Sequence, residues 1–155
     1  MTRRTLFSAL IFVAAFCADR ITKLFALSML QGTAYSVFPG LNFVLSWNRG
    51  VSWSLFATDD FWGFWLLTAV ITLMVLGITT YTFLRWLLSL SIAWEVLMLA
   101  GAWSNLIDRV FYGAVIDFIQ LYAGSYTWPV FNIADACIVI GVGGMLLRSW
   151  RESRE

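Results

Sequence analysis

Histidine is absent from this chain. An imidazole base, a Ser–His nucleophile and a histidine-held metal are therefore excluded. The two cysteines, Cys17 and Cys137, lie inside apolar runs with no CxxC partner and no histidine to activate them. Both read as small apolar residues packed in helices. Charge is scarce as well: charged residues make up 12% of the chain, and ten basic against nine acidic residues leave a net charge of +1. Nothing in that balance calls for nucleic acid as a partner. What the chain has in quantity is apolar surface. Hydrophobic residues are 61% of 155, with nine Trp and thirteen Phe, and the mean hydropathy is +0.81. The length permits one domain, and the composition points to a bundle dissolved in lipid with aromatic residues at the headgroup level. The groups left for acid–base work are carboxylates, Lys23, tyrosines and water.

Four apolar segments come near the ~20 residues that span a bilayer. They are expected at residues 5–24, 61–84, 87–107 and 130–147. The first begins after Arg3 and Arg4, as a cleavable leader does, and reaches a cysteine. Phe16 stands where a small residue should precede that cysteine, and three more segments follow, so a retained helix is expected. Arg3, Arg4, Arg85, Arg148, Arg151 and Arg154 fall on one side of an even number of spans. The positive-inside rule makes that side the cytoplasm, with both termini there. Arg20, Lys23, Arg49 and Arg109 fall on the outer side, each beside another polar group. The outer connection 25–60 contains Tyr35–Phe38, a Pro39-Gly40 turn, Leu41–Trp47, an Asn48-Arg49-Gly50 turn and Val51–Phe56. Its β-branched and aromatic runs read as short strands of a small sheet on the membrane surface, with Val51–Phe56 alternatively a short interfacial helix. Residues 108–129 read as an outer loop, with the fourth helix starting near Pro129.

This topology gathers Asp19, Asp108, Asp117 and Asp135 near one membrane surface. An ionisable group inside a membrane segment costs about 2.5–3.5 kcal/mol on insertion scales, which makes each a functional candidate. Asp19 and Lys23 share a helix face, as do Asn105, Asp108 and Arg109, and Asn132 and Asp135. Plainer roles exist for most of them. Asp19 and Lys23 fit a simple intrahelical ion pair, Asp108 and Arg109 a local pair or a lipid contact, and Asn105 and Asn132 interhelical hydrogen-bond glue. Asn48 fits a turn former and Asp117 a polar loop residue. Asp135, surrounded by Ile133, Ala134, Ala136 and Ile138, is the hardest to dismiss. Glu95 lies away from the cluster and reads as a neutral, hydrogen-bonded structural acid. Two close acids without His or metal suggest a shared proton, one carboxyl acting as base and the other as acid, which suits peptide hydrolysis. A small proton-coupled transporter is the rival reading, although transporters favour midplane acids and internal repeats, and neither is evident here. A purely structural membrane subunit would not need so many polar residues at one end.

Five blocks carry a family resemblance: Asp19-Arg20-Ile21-Thr22-Lys23, Trp47-Asn48-Arg49-Gly50-Val51-Ser52, Asn105-Leu106-Ile107-Asp108-Arg109, Val115-Ile116-Asp117-Phe118 and Phe131-Asn132-Ile133-Ala134-Asp135. In that order, across the whole chain, they resemble lipoprotein signal peptidase (signal peptidase II). The resemblance implies an all-α membrane protein, a four-helix transmembrane bundle with a small outer β-cradle built from the 30–60 region. It implies an aspartyl endopeptidase of the bacterial inner membrane with its site near the periplasmic face. The substrate it implies is a diacylglyceryl-modified prolipoprotein, cleaved just before the lipidated cysteine. Asp117 and Asp135 are then the catalytic pair, and Asp19, Lys23, Asn48, Gly50, Asn105, Asp108, Arg109 and Asn132 shape, support or gate the site. No cofactor, metal or nucleic acid is expected; membrane lipids are the expected surroundings, and the chain is expected to act as a monomer. One departure is visible. Ala100-Gly101-Ala102-Trp103-Ser104-Asn105 stands where the family carries more glycine. Trp103 is expected to narrow or line the substrate cleft.

Overall fold

The structure is a computed structural model and describes residues 3–50 and 60–154. The expected Val51–Phe56 run lies outside the described residues. Among the described residues, four helices and a four-stranded antiparallel sheet follow in the order α1 (Arg3–Met29), β1 (Tyr35–Phe38), β2 (Leu41–Asn48), α2 (Phe61–Leu87), α3 (Ala93–Tyr112), β3 (Val115–Ala123), β4 (Tyr126–Thr127) and α4 (Ile133–Glu152). The strands lie in the order β1-β2-β3-β4.

The helix limits differ from the sequence expectation for physical reasons. Asp19, Arg20 and Lys23 do not end α1, because each meets a counter-charge inside the bundle. α2 starts at an Asp60 cap, whose carboxylate accepts from the Gly63 N–H at 2.8 Å. α3 runs on to Tyr112 and stops at Gly113, which adopts φ 68° and donates its N–H to the Arg109 carbonyl. A left-handed cap of this kind suits glycine, which has no Cβ to clash. Asp108 and Arg109 therefore lie within the helix. α4 starts at Ile133, later than Pro129 suggests, because Phe131 is held in a β-bridge with Ile119 and Asn132 caps the helix.

The segment read as an outer loop, 108–129, is instead the end of α3 and a β-hairpin. β3 pairs with β2, bringing Ser46 opposite Asp117 and Asn48 opposite Val115. It returns through β4, and the Phe118 and Ile119 N–H groups then donate to the Phe131 carbonyl at 3.1 and 2.8 Å. The sheet is thus completed by the second connection and is not confined to the 30–60 region. Ala26, Leu30 and Phe118, with Phe43, Leu45, Ile119 and Ile133 around them, pack the sheet onto the end of α1.

α3 and α4 approach closely along a seam of small residues. A side chain at Gly101 would run into the Ala134 carbonyl, one at Gly144 into the Trp94 ring, and one at Gly141 would lie 2.6 Å from the Met98 Cβ. α2 packs on the other side of α3 through Val75, Met98 and Leu99; Trp103 packs against this cluster. Large side chains such as Leu10, Ile21, Leu66, Leu73, Val139 and Leu146 remain more than half exposed. α2 and α4 are long and apolar enough to cross a membrane.

Candidate functional site

The C-terminal parts of α1 and α3 and the first turn of α4 close over a buried charge network. Asp19, Lys23 and Asp108 are fully enclosed. All three Lys23 donors are used: the ammonium lies 2.8 Å from Asp19 Oδ2, 2.7 Å from Asp108 Oδ2 and 2.7 Å from Asn105 Oδ1. Asp19 Oδ1 accepts from the Ala134 N–H at 2.7 Å, and its Oδ2 accepts from Ser104 Oγ at 2.6 Å. Asp108 also pairs with Arg20 and accepts from the Ile116 N–H at 3.3 Å. Buried charges are tolerated when their desolvation is offset by such full pairing. Asp19 and Lys23 are thus an intrahelical pair and also the tie between α1, α3 and α4. Asp108 pairs with Arg20 and Lys23. Arg109 instead donates to the Gly50 carbonyl and stacks on the Phe64 ring, its Cζ 5.9 Å from the centroid.

Above this network sit Asp117 and Asp135, linked by amides. Asn132 Nδ2 donates to Asp117 Oδ1 at 2.6 Å, and the Asn132 backbone N–H donates to Asp135 Oδ2 at 3.2 Å. The Asn132 side-chain carbonyl accepts in turn from the Asp135 N–H at 2.8 Å, a reciprocal cap that fixes the first turn of α4. Asn48 Nδ2 donates to Asp117 Oδ2 at 3.0 Å, and Asn105 Nδ2 to Asp135 Oδ1 at 2.8 Å. Asn48 also shapes its turn, accepting from the Gly50 N–H at 2.9 Å. Asp117 reaches Asn48 because both stand on one face of the β2–β3 ladder, two positions apart in register.

Asp117 is buried, whereas Asp135 is half-buried and lines a cavity of about 390 Å³ with Asn48 and the apolar Leu121, Trp128, Phe131 and Val139. Burial pushes the Asp117 carboxyl up to about 7, and the Asp135 charge adds to the rise. The Asn48 and Asn132 hydrogen bonds and the Lys23 charge act against it. A carboxyl with that value exchanges its proton near neutrality, the property an acid–base group needs.

All ten expected site residues fall in this one region. Sequence reasoning missed the parts played by Arg20 and Ser104. Arg20 is a charge inside an apolar segment, which is a usable cue; Ser104 stands in the block where the family carries more glycine and offers none. Trp103 lies on the α2–α3 cluster and is not among the residues lining the cavity beside Asp135. Glu95 was expected as a neutral, hydrogen-bonded acid, but its partners are two arginines. It lies 3.1 Å from Arg85 Nε and pairs with Arg148, a charged clamp at the opposite end of the bundle whose second arginine is 53 residues away in sequence.

The chain matches the family described as signal peptidase (SPase) II over residues 11–151. It is 40% identical over 142 residues to a lipoprotein signal peptidase of Methylorubrum extorquens, covering 90% of this chain and 82% of that one. It is 40% identical over 141 residues to a lipoprotein signal peptidase of Dichelobacter nodosus, covering 89% and 90%. Its fold superposes on a bacterial membrane enzyme solved by the in meso method at 2.3 Å, with a TM-score of 0.76 and 27% identity over 94% of this chain and 88% of that chain. These matches do not favour the transporter reading. The chain belongs to the signal peptidase II family.

Proposed function

We propose that this protein is an aspartic endopeptidase that removes signal peptides from diacylglyceryl-modified prolipoproteins, with Asp117 and Asp135 as the catalytic pair. One observation carries the assignment. A single residue, Asn132, donates its side-chain N–H to Asp117 and its backbone N–H to Asp135, so two carboxyls eighteen positions apart are held around one residue. At neutral pH such a pair shares a proton. The ionised carboxylate takes a proton from water as the oxygen attacks the carbonyl carbon just before the lipidated cysteine. The neutral carboxyl gives its proton to the carbonyl oxygen. Collapse of the tetrahedral intermediate returns that proton, the C–N bond breaks, and the cysteine amine leaves protonated by the carboxyl that received the water proton. Asn48, Asn105 and Asn132 hold the pair in position, while Lys23, Asp19 and Asp108 fix the helices that carry them. The apolar cavity beside Asp135 is the natural place for the substrate chain.

The same reading makes all four helices membrane spans, with both termini in the cytoplasm, the sheet on the periplasmic side and the protein in the bacterial inner membrane. The lengths support it: α1 and α3 extend about 40 and 30 Å at 1.5 Å per residue. Within them, Asp19, Arg20, Lys23, Asp108 and Glu95 are paired inside the bundle. The test is incubation of the purified protein with a lipid-modified prolipoprotein, followed by mass spectrometry. Loss of the signal-peptide mass is expected. An intact substrate, with a known enzyme of the family active in parallel, contradicts the assignment.

A further inference from the structure

A second cavity lies at the other end of the bundle. It is open, has a volume of about 810 Å³, and sits between the first turns of α1 and the connection from α2 to α3. Its distance from the proposed active site is large, since Arg3 and Asp19 on the same helix are separated by about 24 Å of rise. None of its lining residues belongs to the Asp117–Asp135 network.

The lining is of two kinds. Arg3 and Arg4 bring two guanidiniums, and among the described residues neither has an acidic partner within ion-pair distance. Glu95, in the first turn of α3, is held by Arg85 and Arg148. Ile92, at the start of α3, also lines the cavity and offers no side-chain acceptor to the leading N–H groups of that helix. That side of the cavity is therefore rich in donors and positive charge. Beyond the hydroxyls of Thr5, Ser8, Ser89 and Ser91, the rest is apolar: Phe7 and Leu87 are exposed toward the surroundings of the bundle. Trp86 completes the wall, its indole N–H donating to Thr5 Oγ1 at 3.3 Å, an amphipathic ring of the kind found at headgroup level.

We propose that this cavity binds one anionic phospholipid of the leaflet opposite the active site. The phosphate sits on the Arg3 and Arg4 guanidiniums, whose forked donors match phosphate oxygens. The acyl chains run along Phe7 and Leu87. Free phosphate would meet the same guanidiniums but leave the apolar wall uncovered. The headgroup also joins the start of α1 to the α2–α3 connection. The proposal rests on the bundle spanning the bilayer; it does not depend on the aspartate pair, and its test does not read cleavage.

The test is native mass spectrometry of the full chain in neutral detergent, titrated with phosphatidylglycerol or with phosphatidylcholine of the same acyl chains. One phosphatidylglycerol is expected to bind on the order of tenfold more tightly than phosphatidylcholine. The double variant Arg3→Gln/Arg4→Gln should erase that preference. Ala93→Leu keeps both charges but narrows the cavity, and should weaken phosphatidylglycerol binding as well. Arg151→Gln/Arg154→Gln removes charge from the same membrane face and should leave the preference intact. Excess inorganic phosphate should fail to displace the lipid. Circular dichroism checks the helicity of each variant, and Ala93→Leu answers the question if the double arginine variant does not fold. Equal binding of the two lipids, a preference that survives the folded variants of this cavity, equal loss on removing Arg151 and Arg154, or displacement by phosphate alone would each overturn the proposal.

Discussion

Burial and a neighbouring carboxylate leave Asp117 titrating at about 7, and the sign of the consequence can be worked out. Its value in the unfolded chain is about 3.9. The folded protein therefore binds this proton more tightly, so the stability contributed by protonated Asp117 is fully present below pH ~4 and lost as pH rises through about 7. Asp117→Asn removes the titration. Melting temperatures of both proteins between pH 4 and 8 should show wild type falling progressively relative to Asp117→Asn; a constant gap contradicts the burial of an ionisable Asp117. Lys23 makes the opposite case, a charge whose partners depend on it. Lys23→Met leaves Asp19 and Asp108 short of their shared cation in a dry site, and a loss of about 3–5 kcal/mol is expected. Chemical denaturation in detergent measures it, and a loss below about 1 kcal/mol would show that the network is solvated like a surface pair. In the sequence, Asp19 and Lys23 were visible as a helical pair. Their third partner was not, because Asp108 lies 85 positions beyond Lys23 and pairing at that range follows from helix packing alone.

The α3–α4 seam decides where the site residues end up. Gly101 lies against the Ala134 carbonyl, one residue before Asp135, and backbone cannot move aside as a flexible side chain would. Gly101→Val should therefore push the start of α4 away from Asn105, costing about 1–3 kcal/mol and lowering cleavage more than Gly143→Val, where no neighbour lies within 4 Å. Equal effects at the two positions would remove the seam from the account. At the opposite end, Glu95 ties α2, α3 and α4 through Arg85 and Arg148. Glu95→Gln should lower thermal stability while the purified, folded fraction keeps near-normal cleavage; abolished cleavage in a folded variant would mean that the site extends to this end of the bundle. The existence of four helices was legible from apolar runs, as were β1 and β2 from their turns. β3 was not, since Asp117 and Gln120 interrupt its apolar pattern and its stability comes from pairing with β2 and Phe131. The late start of α4 has the same origin: local chemistry favoured Pro129, but tertiary pairing claimed Phe131.

At the scale of the whole molecule, charge is concentrated at the two ends of the bundle. Asp19, Asp108, Asp117 and Asp135 gather with Arg20, Lys23 and Arg109 at one end, while the clamp of Glu95 with Arg85 and Arg148 gathers with the terminal arginines at the other. Tags at either terminus should be protected in sealed spheroplasts and a tag inserted at Asp60 should be accessible; termini on opposite sides would remove the four-span arrangement. Family membership was legible because the blocks around Asp19, Asn48, Asn105, Asp117 and Asp135 stand in one order along the chain. The site that joins them was legible only as a list, since spacing says nothing of how β3 folds back beside Asn132. The central claim is that Asp117 and Asp135 act as one unit. Its most direct measurement is the initial cleavage rate of a lipidated prolipoprotein by Asp117→Asn, Asp135→Asn and the double variant, each checked for helicity. Either single change should nearly abolish cleavage, and the double should be little worse, because residues acting together are non-additive. A folded single variant that keeps more than about a tenth of the wild-type rate, a deficit of only ~1.4 kcal/mol, would contradict it.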